Sequence, residues 1–177
     1  MSFTTYRKGA AQRQGLLDLC AALPICGRAI EVGSYAGESA EIFLTSGKVS
    51  FITCVDPFVE KHKPGVVPDY EREFDRRMAA FHGRVEKIKA TSYDALTHGL
   101  IRRQTCDFLY IYIDAAHDYA SVSWDIRYWQ TLLRPGGYIG GHDYTDAQPG
   151  VVRAVNEEFG TPWRTFQDGS WLCRIGS

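Results

Sequence analysis

The stretch AIEVGSYAGESA, residues 29–40, sets an acid, Glu31, two positions before Gly33 and adds a second glycine, Gly37, where an apolar run gives way to helix-forming residues. An apolar strand, a glycine loop and a helix form the arrangement in which backbone N–H groups and a helix N-terminus meet a ligand outside the carboxyl edge of a sheet. A dinucleotide site here would need GxGxxG. The sequence offers GxxxG, with Tyr35 where a pyrophosphate would have to approach the backbone. Glu31 also argues against a diphosphate, because neighbouring negative groups repel. The loop favours a ligand that is not a diphosphate and that carries positive charge. A second carboxylate with chemical meaning is Asp56, which closes the apolar run SFITCVD. Adenosine-binding α/β folds hold the ribose hydroxyls on a carboxylate at the end of the second strand, each charge-assisted bond contributing about 1.5–3 kcal/mol. Taken alone, Asp56 also fits a turn or cap residue.

Apolar and helical patterns alternate along the whole chain, the signature of an α/β sheet covered on both faces. A helix is expected over Arg13 to Leu23, stopped by Pro24, then a strand over Arg28 to Val32 and a helix over Glu38 to Ser46. The near-continuous apolar run at 50–56 suits a parallel strand buried on both faces. Residues 57–70, with three prolines, read as a long loop, and the next stretch, DYEREFDRRMAAF, reads as a helix with Tyr70, Phe74, Met78 and Phe81 on its apolar stripe. Strands at 85–90, 106–114 and 138–144 alternate with helices near 93–103, 121–133 and 150–160. The RPGG sequence is a stop signal for the second of these helices. WRTF and SWLCRI, divided by QDG, close the chain as a hairpin.

The 177 residues, 45% of them hydrophobic, suffice for one domain with a substantial core, and no repeat or linker divides them. Twenty basic residues against 21 acidic ones give a net charge of −1, which carries no footprint for nucleic acid or an anionic membrane. The N-terminal sequence lacks the apolar region of a signal peptide and no window is long enough for a membrane span, so a cytoplasmic protein is expected. Five scattered cysteines without CxxC spacing read as thiols in a reducing compartment.

EVGSYAGES and VDPF resemble the E/DxGxxxGxS glycine motif and the acidic strand-two motif of class I S-adenosylmethionine-dependent methyltransferases, and the order of elements extends the resemblance over nearly the whole chain. It implies a Rossmann-like α/β fold in one domain, residues 1–177, with a mostly parallel seven-stranded sheet, a C-terminal antiparallel hairpin and helices on both faces. It further implies that Glu31, Gly33, Ser34, Tyr35, Gly37 and Ser39 hold the methionyl part of S-adenosylmethionine. Asp56 and Pro57 would hold the ribose, Thr91 and Ser92 would stand on the adenine side, and Asp114 and Ala115 would complete the cofactor site. A sulfonium cation fits the physical reading of Glu31.

The stretch from YIDAAHDY to GGHDY resembles the macrocin O-methyltransferase-like group of sugar O-methyltransferases, in which strand four ends in IDxxHxY and strand five in HDY or DDY. That resemblance implies O-methylation of a hydroxyl on a sugar or glycosylated metabolite, with Mg²⁺ or another divalent cation on Asp114, His142 and Asp143. A hard cation polarises and orients the hydroxyl, and a positioned base adds about 10²–10⁴ in rate. Two departures stand out: Ala116 replaces an acid frequent in the group, and histidine at 142 suits softer metals than magnesium. The base role falls first to His117, whose ordinary pKa of about 6.5 lies near working pH, and second to His142.

Plainer readings accompany these. His117 also fits a structural role in its loop, and Asp114 and Asp143 fit helix caps. Trp124, Tyr128 and Trp129 read as a core stripe facing the sheet, and KHK with DYEREFDRR as a loop and a solvated helix face, the alternative being a lid over the acceptor. Acceptor specificity is expected from loops 57–70, 115–121 and 144–150 or from a second copy of the chain. A non-catalytic adenosyl-binding module and an NAD-type oxidoreductase are the competing classes, the latter disfavoured by the missing GxGxxG.

Overall fold

The computed structural model describes residues 10–59, 69–101 and 108–176. Its elements run α1 (Ala10–Ala22), β1 (Gly27–Val32), α2 (Glu38–Thr45), β2 (Val49–Asp56), α3 (Tyr70–Met78, continued by a 3₁₀ turn), β3 (Val85–Lys89) and α4 (Ser92–Thr97). They continue as β4 (Phe108–Ile113), α5 (Tyr119–Trp129), β5 (Leu133–Gly141), α6 (Pro149–Phe159), β6 (Arg164–Thr165) and β7 (Trp171–Arg174). The strands form one seven-stranded sheet in the order β3-β2-β1-β4-β5-β7-β6. The first five are parallel, and β7 joins β5 antiparallel and pairs with β6 as the expected hairpin.

Both sheet faces are covered, as the apolar runs require. On one face Ile30, Val32, Ile111 and Ile113 meet Val122, Ile126 and Trp129 of α5 and Val151 and Val155 of α6. On the other, Ala29, Cys54, Tyr110 and Tyr112 meet Leu16 and Leu19 of α1, Ile42 and Phe43 of α2, and Phe74 and Met78 of α3. Strand order reverses between β1 and β4, both leading away from the middle of the sheet, and such a switch point opens a crevice at the carboxyl ends of the strands. Three ladder bonds carry the register past those ends and fix the first residue of each loop there: Gly33 N–H to Val55 O (2.8 Å), Asp114 N–H to Val32 O (2.7 Å) and His142 N–H to Ile113 O (3.1 Å).

Three of the boundaries that differ from the sequence expectation have a visible local cause. Helix α4 ends at Thr97 rather than near 103, because Gly99 takes φ 65° and the Leu100 amide closes back on the Ala95 carbonyl at 3.1 Å, a glycine stop. The RPGG segment lies within β5: the β4–β5 register jumps between Phe108 and Tyr110, so these residues form an irregularity at the start of the strand. At its other end β5 stops at Gly141, three residues early, because Asp143 leaves the extended region at φ 61°.

The aromatic stripe also differs. Trp129 is fully buried, but Tyr128 is 52% exposed and Trp124 is half-buried, stacked in a ladder between Tyr93 (5.2 Å) and Tyr128 (4.6 Å). Helix α3 is not simply a solvated face, since Phe74, Arg77 and Met78 are buried. Among the described residues Cys20, Cys54 and Cys173 are buried free thiols and Cys26 is exposed, while Cys106, KHK and most of loop 57–70 lie outside them. No helix among the described residues is long and apolar enough to cross a membrane.

Candidate active site

The glycine loop after β1 holds three consecutive odd positions at positive φ: Gly33 (92°), Tyr35 (46°) and Gly37 (78°). Gly33 has no alternative, because a Cβ there would collide with the Asp114 carbonyl of the neighbouring loop. Tyr35 is a non-glycine residue in the left-handed region, a conformation that costs about 1–3 kcal/mol and persists where the surroundings enforce it. Its amide donates to Asp56 Oδ2 at 2.8 Å, and the Phe58 amide donates to Oδ1 at 2.6 Å. Asp56 thus ties the loops after β1 and β2 together while keeping lone pairs for a further donor.

Two adjoining cavities open along the switch point. The larger, about 770 Å³, is lined by Gly33, Tyr35, Asp56, Pro57, Thr91 and Ser92, with Asp114 and Ala115 between it and its neighbour. Its acids are Asp56, Asp114 and Asp125, and among the described residues no lysine or arginine lines it, which suits a cationic ligand. The smaller, about 310 Å³, is shared by the glycine loop and the loops after β4 and β5, with Ser34, Ser39, His117 and His142 on its walls. Helix α2 opens onto it at its positive end, and Gly37 provides no side-chain cap there.

Most predicted positions come together here, and several have structural duties that sequence could not show. Thr91 caps α4, its hydroxyl accepting from the Asp94 amide at 3.1 Å. Ser92 donates its hydroxyl to Asp125 and accepts from Trp129 Nε1 at 2.8 Å. Burial pushes the Asp125 carboxyl up to about 6. Glu31 and Gly37 line neither cavity. Glu31 lies fully buried on the α1–α3 side of the sheet with Cys54 Sγ 3.7 Å from Oε2, and Gly37 packs against Phe74.

The loops after β4 and β5 meet through Asp143. His117 Nε2 stands 2.9 Å from Asp143 Oδ2, and His142 Nδ1 stands 3.3 Å from Oδ1. Hydrogen bonds from His117 and then from His142 hold the Asp143 carboxyl well below the usual carboxylate range. Neither Asp114 nor Asp143 caps a helix, those places being taken by Asp118 for α5 and Gln148 for α6. Asp114, His117 and Asp143 offer three ligand atoms within 4.8 Å of one another. In that grouping His117 takes the place the sequence reading gave to His142.

The left-handed turn at Asp143 is buttressed from the C-terminal hairpin, since the Tyr144 amide donates to Gly169 O at 2.9 Å. The hairpin also brings a carboxylate behind His142. Asp168 Oδ2 is 4.0 Å from His142 Nε2, with its side chain fully buried, and it accepts from the Ser170 amide (3.0 Å) and hydroxyl (2.8 Å). The sequence marked Asp168 only as part of a QDG turn, and nothing local to it signals the histidine across the sheet.

A mostly parallel sheet closed by an antiparallel hairpin, with a glycine loop, a strand-two acid and an acid-lined cavity at its switch point, defines a class I S-adenosylmethionine-dependent methyltransferase. A family model described as a methyltransferase domain matches residues 30–144, and the chain belongs to that family. Solved structures share the fold. The O-methyltransferase TomG from Streptomyces achromogenes, involved in tomaymycin synthesis and solved with S-adenosylmethionine, superposes with a TM-score of 0.68 at 18% identity, covering 97% of this chain and 82% of its own. An O-methyltransferase from Bacillus cereus, in complex with S-adenosylhomocysteine, gives 0.68 at 15% identity over 99% and 84%. CalS11, a TDP-rhamnose 3′-O-methyltransferase of calicheamicin biosynthesis, gives 0.62 at 17% over 93% and 78%. No curated protein matches the sequence.

Proposed function

We propose that this enzyme transfers the methyl group of S-adenosylmethionine to a hydroxyl oxygen of a sugar or glycosylated small molecule. The observation that carries the reading is His117, which reaches the smaller cavity while Asp143 holds its Nε2 at 2.9 Å. In this reading the adenosyl group lies in the larger cavity, with its ribose on Asp56. The methionyl group reaches the start of α2 past Gly33, Ser34 and Ser39, and the acceptor enters the smaller cavity. The acceptor oxygen attacks the methyl carbon as the carbon–sulfur bond breaks, and the electron pair returns to sulfur to give S-adenosylhomocysteine. His117 takes the hydroxyl proton on Nδ1, the ring nitrogen not turned to Asp143, and the anionic Asp143 stabilises the imidazolium that results. In-line placement of oxygen, carbon and sulfur supplies about 7–11 kcal/mol in well-aligned systems, which gives the rigid loops at the switch point their purpose.

Two carboxylates and one imidazole within 4.8 Å also fit a divalent cation. The mixed oxygen and nitrogen donors suit manganese or a similar ion at least as well as magnesium. Bound there, such an ion would supply Lewis-acid polarisation of the acceptor hydroxyl. The sugar assignment draws support from the IDAAHDY and GGHDY strand ends and from the fold shared with the TDP-rhamnose methyltransferase.

The test is transfer from S-adenosylmethionine to a panel of nucleotide sugars, glycosides, catechols and amines, read by mass spectrometry with chelator, Mg²⁺ or Mn²⁺ present. Product on a sugar hydroxyl is expected. Product on amines alone would remove the oxygen assignment. Tight S-adenosylhomocysteine binding with no product from any acceptor would leave a non-catalytic module.

A further inference from the structure

Helix α3 carries a buried guanidinium that neither cavity touches. Arg77 is 4% exposed, and its nitrogens reach three separate parts of the chain. Nε donates to the Ala36 carbonyl at 3.1 Å, Nη1 pairs with Glu41 of α2 at 2.5 Å, and Nη2 lies 3.4 Å from Glu73 of α3 itself. Ala36 sits between Tyr35 and Gly37, two of the positive-φ positions of the glycine loop. Two more side chains of α3 press on the same loop. The Tyr70 ring lies 3.9 Å from that of Tyr35, and a Cβ on Gly37 would come within 2.9 Å of Phe74. The helix is itself anchored to β3, where Lys87 pairs with Glu71 (2.9 Å) and Asp75 (2.6 Å) and Lys89 pairs with Glu71 (2.5 Å).

We infer that Arg77 is a positioning residue for the cofactor loop, fixing the Ala36 carbonyl so that the Tyr35 amide stays on Asp56 and the start of α2 stays aimed at the smaller cavity. A loop that keeps a tyrosine in the left-handed region needs an outside constraint, and a planar guanidinium fork supplies one in fixed geometry. Moving it would leave a buried charge without its partners, which makes the constraint stiff. Lysine keeps the charge and loses the fork. The inference rests on the reading that this loop holds S-adenosylmethionine.

Calorimetric titration of S-adenosylhomocysteine into the full chain, with thermal melts alongside, separates positioning from packing. Arg77→Lys is expected to weaken binding about tenfold or more, the loss of one charge-assisted hydrogen bond. Glu41→Gln, which spares the bond to Ala36, is expected to lower the melting temperature while keeping the wild-type affinity. Equal weakening in both variants, or wild-type affinity in Arg77→Lys, overturns the inference. If Arg77→Lys does not fold, Phe74→Leu decides, because Phe74 presses on Gly37 from α3 and lines neither cavity: weaker binding by a folded protein supports the clamp, and unchanged binding overturns it. Failure of the unmutated chain to bind would sink the cofactor reading and this inference with it, whereas an effect confined to the variants bears on Arg77 alone.

Discussion

The cofactor half and the acceptor half of the site are built by different means. Around the glycine loop the working parts are mostly backbone: amides of Tyr35 and Phe58 on Asp56, a positive φ at Gly33, and the start of α2. Around Asp143 they are side chains, with His117 and His142 from two loops converging on one carboxylate and Asp168 behind. Backbone geometry tolerates changes of side chain but not the loss of a glycine. Side-chain convergence tolerates small backbone shifts but not the loss of one member. The two halves should therefore fail separately, except where they touch.

They touch at Gly33, where a Cβ would run into Asp114 O and Ala115 Cα. Gly33→Ala should show the largest effect, because left-handed strain of about 1–3 kcal/mol is added to a collision with main chain that cannot rotate away. S-adenosylhomocysteine binding by calorimetry should be lost, and any transferase activity with it. Binding near the wild-type level would mean that the halves are less rigidly coupled than this contact implies.

Asp143→Ala should break the acceptor half alone. The rate should fall about 10²–10⁴-fold, as when a positioned base loses its effect, with S-adenosylhomocysteine affinity unchanged because Asp143 lines neither cavity. A parallel collapse of cofactor affinity would erase the distinction between the halves.

The same contrast explains how much could be read from the sequence. Glycines at fixed spacing and an acid at a strand end are local signals, so the GxxxG loop and Asp56 were legible, as was the sheet with its closing hairpin. Glu31 was legible as chemistry but not as depth: one position before the end of β1, the strand's alternation turns it to the α1–α3 side rather than into a cavity. His117 and Asp143 were each visible, but their pairing depends on how two loops converge. Asp168 and Arg77 gave no sign, because one comes from the hairpin turn and the other from a helix whose charge pattern reads as solvated. The early end of α4 was signalled by Gly99, and the helical pattern read through it hid the stop.

A smaller effect sharpens the role of Asp56. Asp56→Asn leaves one acceptor oxygen for two amide donors and turns an NH₂ group toward one of them. The cofactor dissociation constant should rise about 10–100-fold, equivalent to losing a charge-assisted bond of about 1.5–3 kcal/mol. Loss of thermal stability with unchanged affinity would instead reduce Asp56 to a tie between loops.

The smallest effect concerns Asp125, which belongs to the cofactor half by position but, like the acceptor half, works through its side chain. It is 3% exposed, accepts the Ser92 hydroxyl, and has its carboxyl pushed up to about 6 by burial. A carboxyl whose folded pKa lies above its unfolded value contributes stability below the unfolded pKa, near 4, and loses that contribution as pH rises through about 6. At pH 7.5 the folded protein therefore carries a buried charge that it would hold more favourably protonated. Asp125→Asn removes the charge and keeps an oxygen for the Ser92 hydroxyl, whose proton is already directed there because Ser92 Oγ accepts from Trp129. The variant should be more stable than the wild type at pH 7.5 by about 1–3 kcal/mol, a rise of roughly 2–12 °C in melting temperature, with the advantage vanishing near pH 4. Melting curves from pH 4 to 8 measure the slope directly. Parallel profiles for the two proteins would mean that Asp125 is ionised in both folded and unfolded chains, and that its place on the cavity wall is wetter than its burial implies.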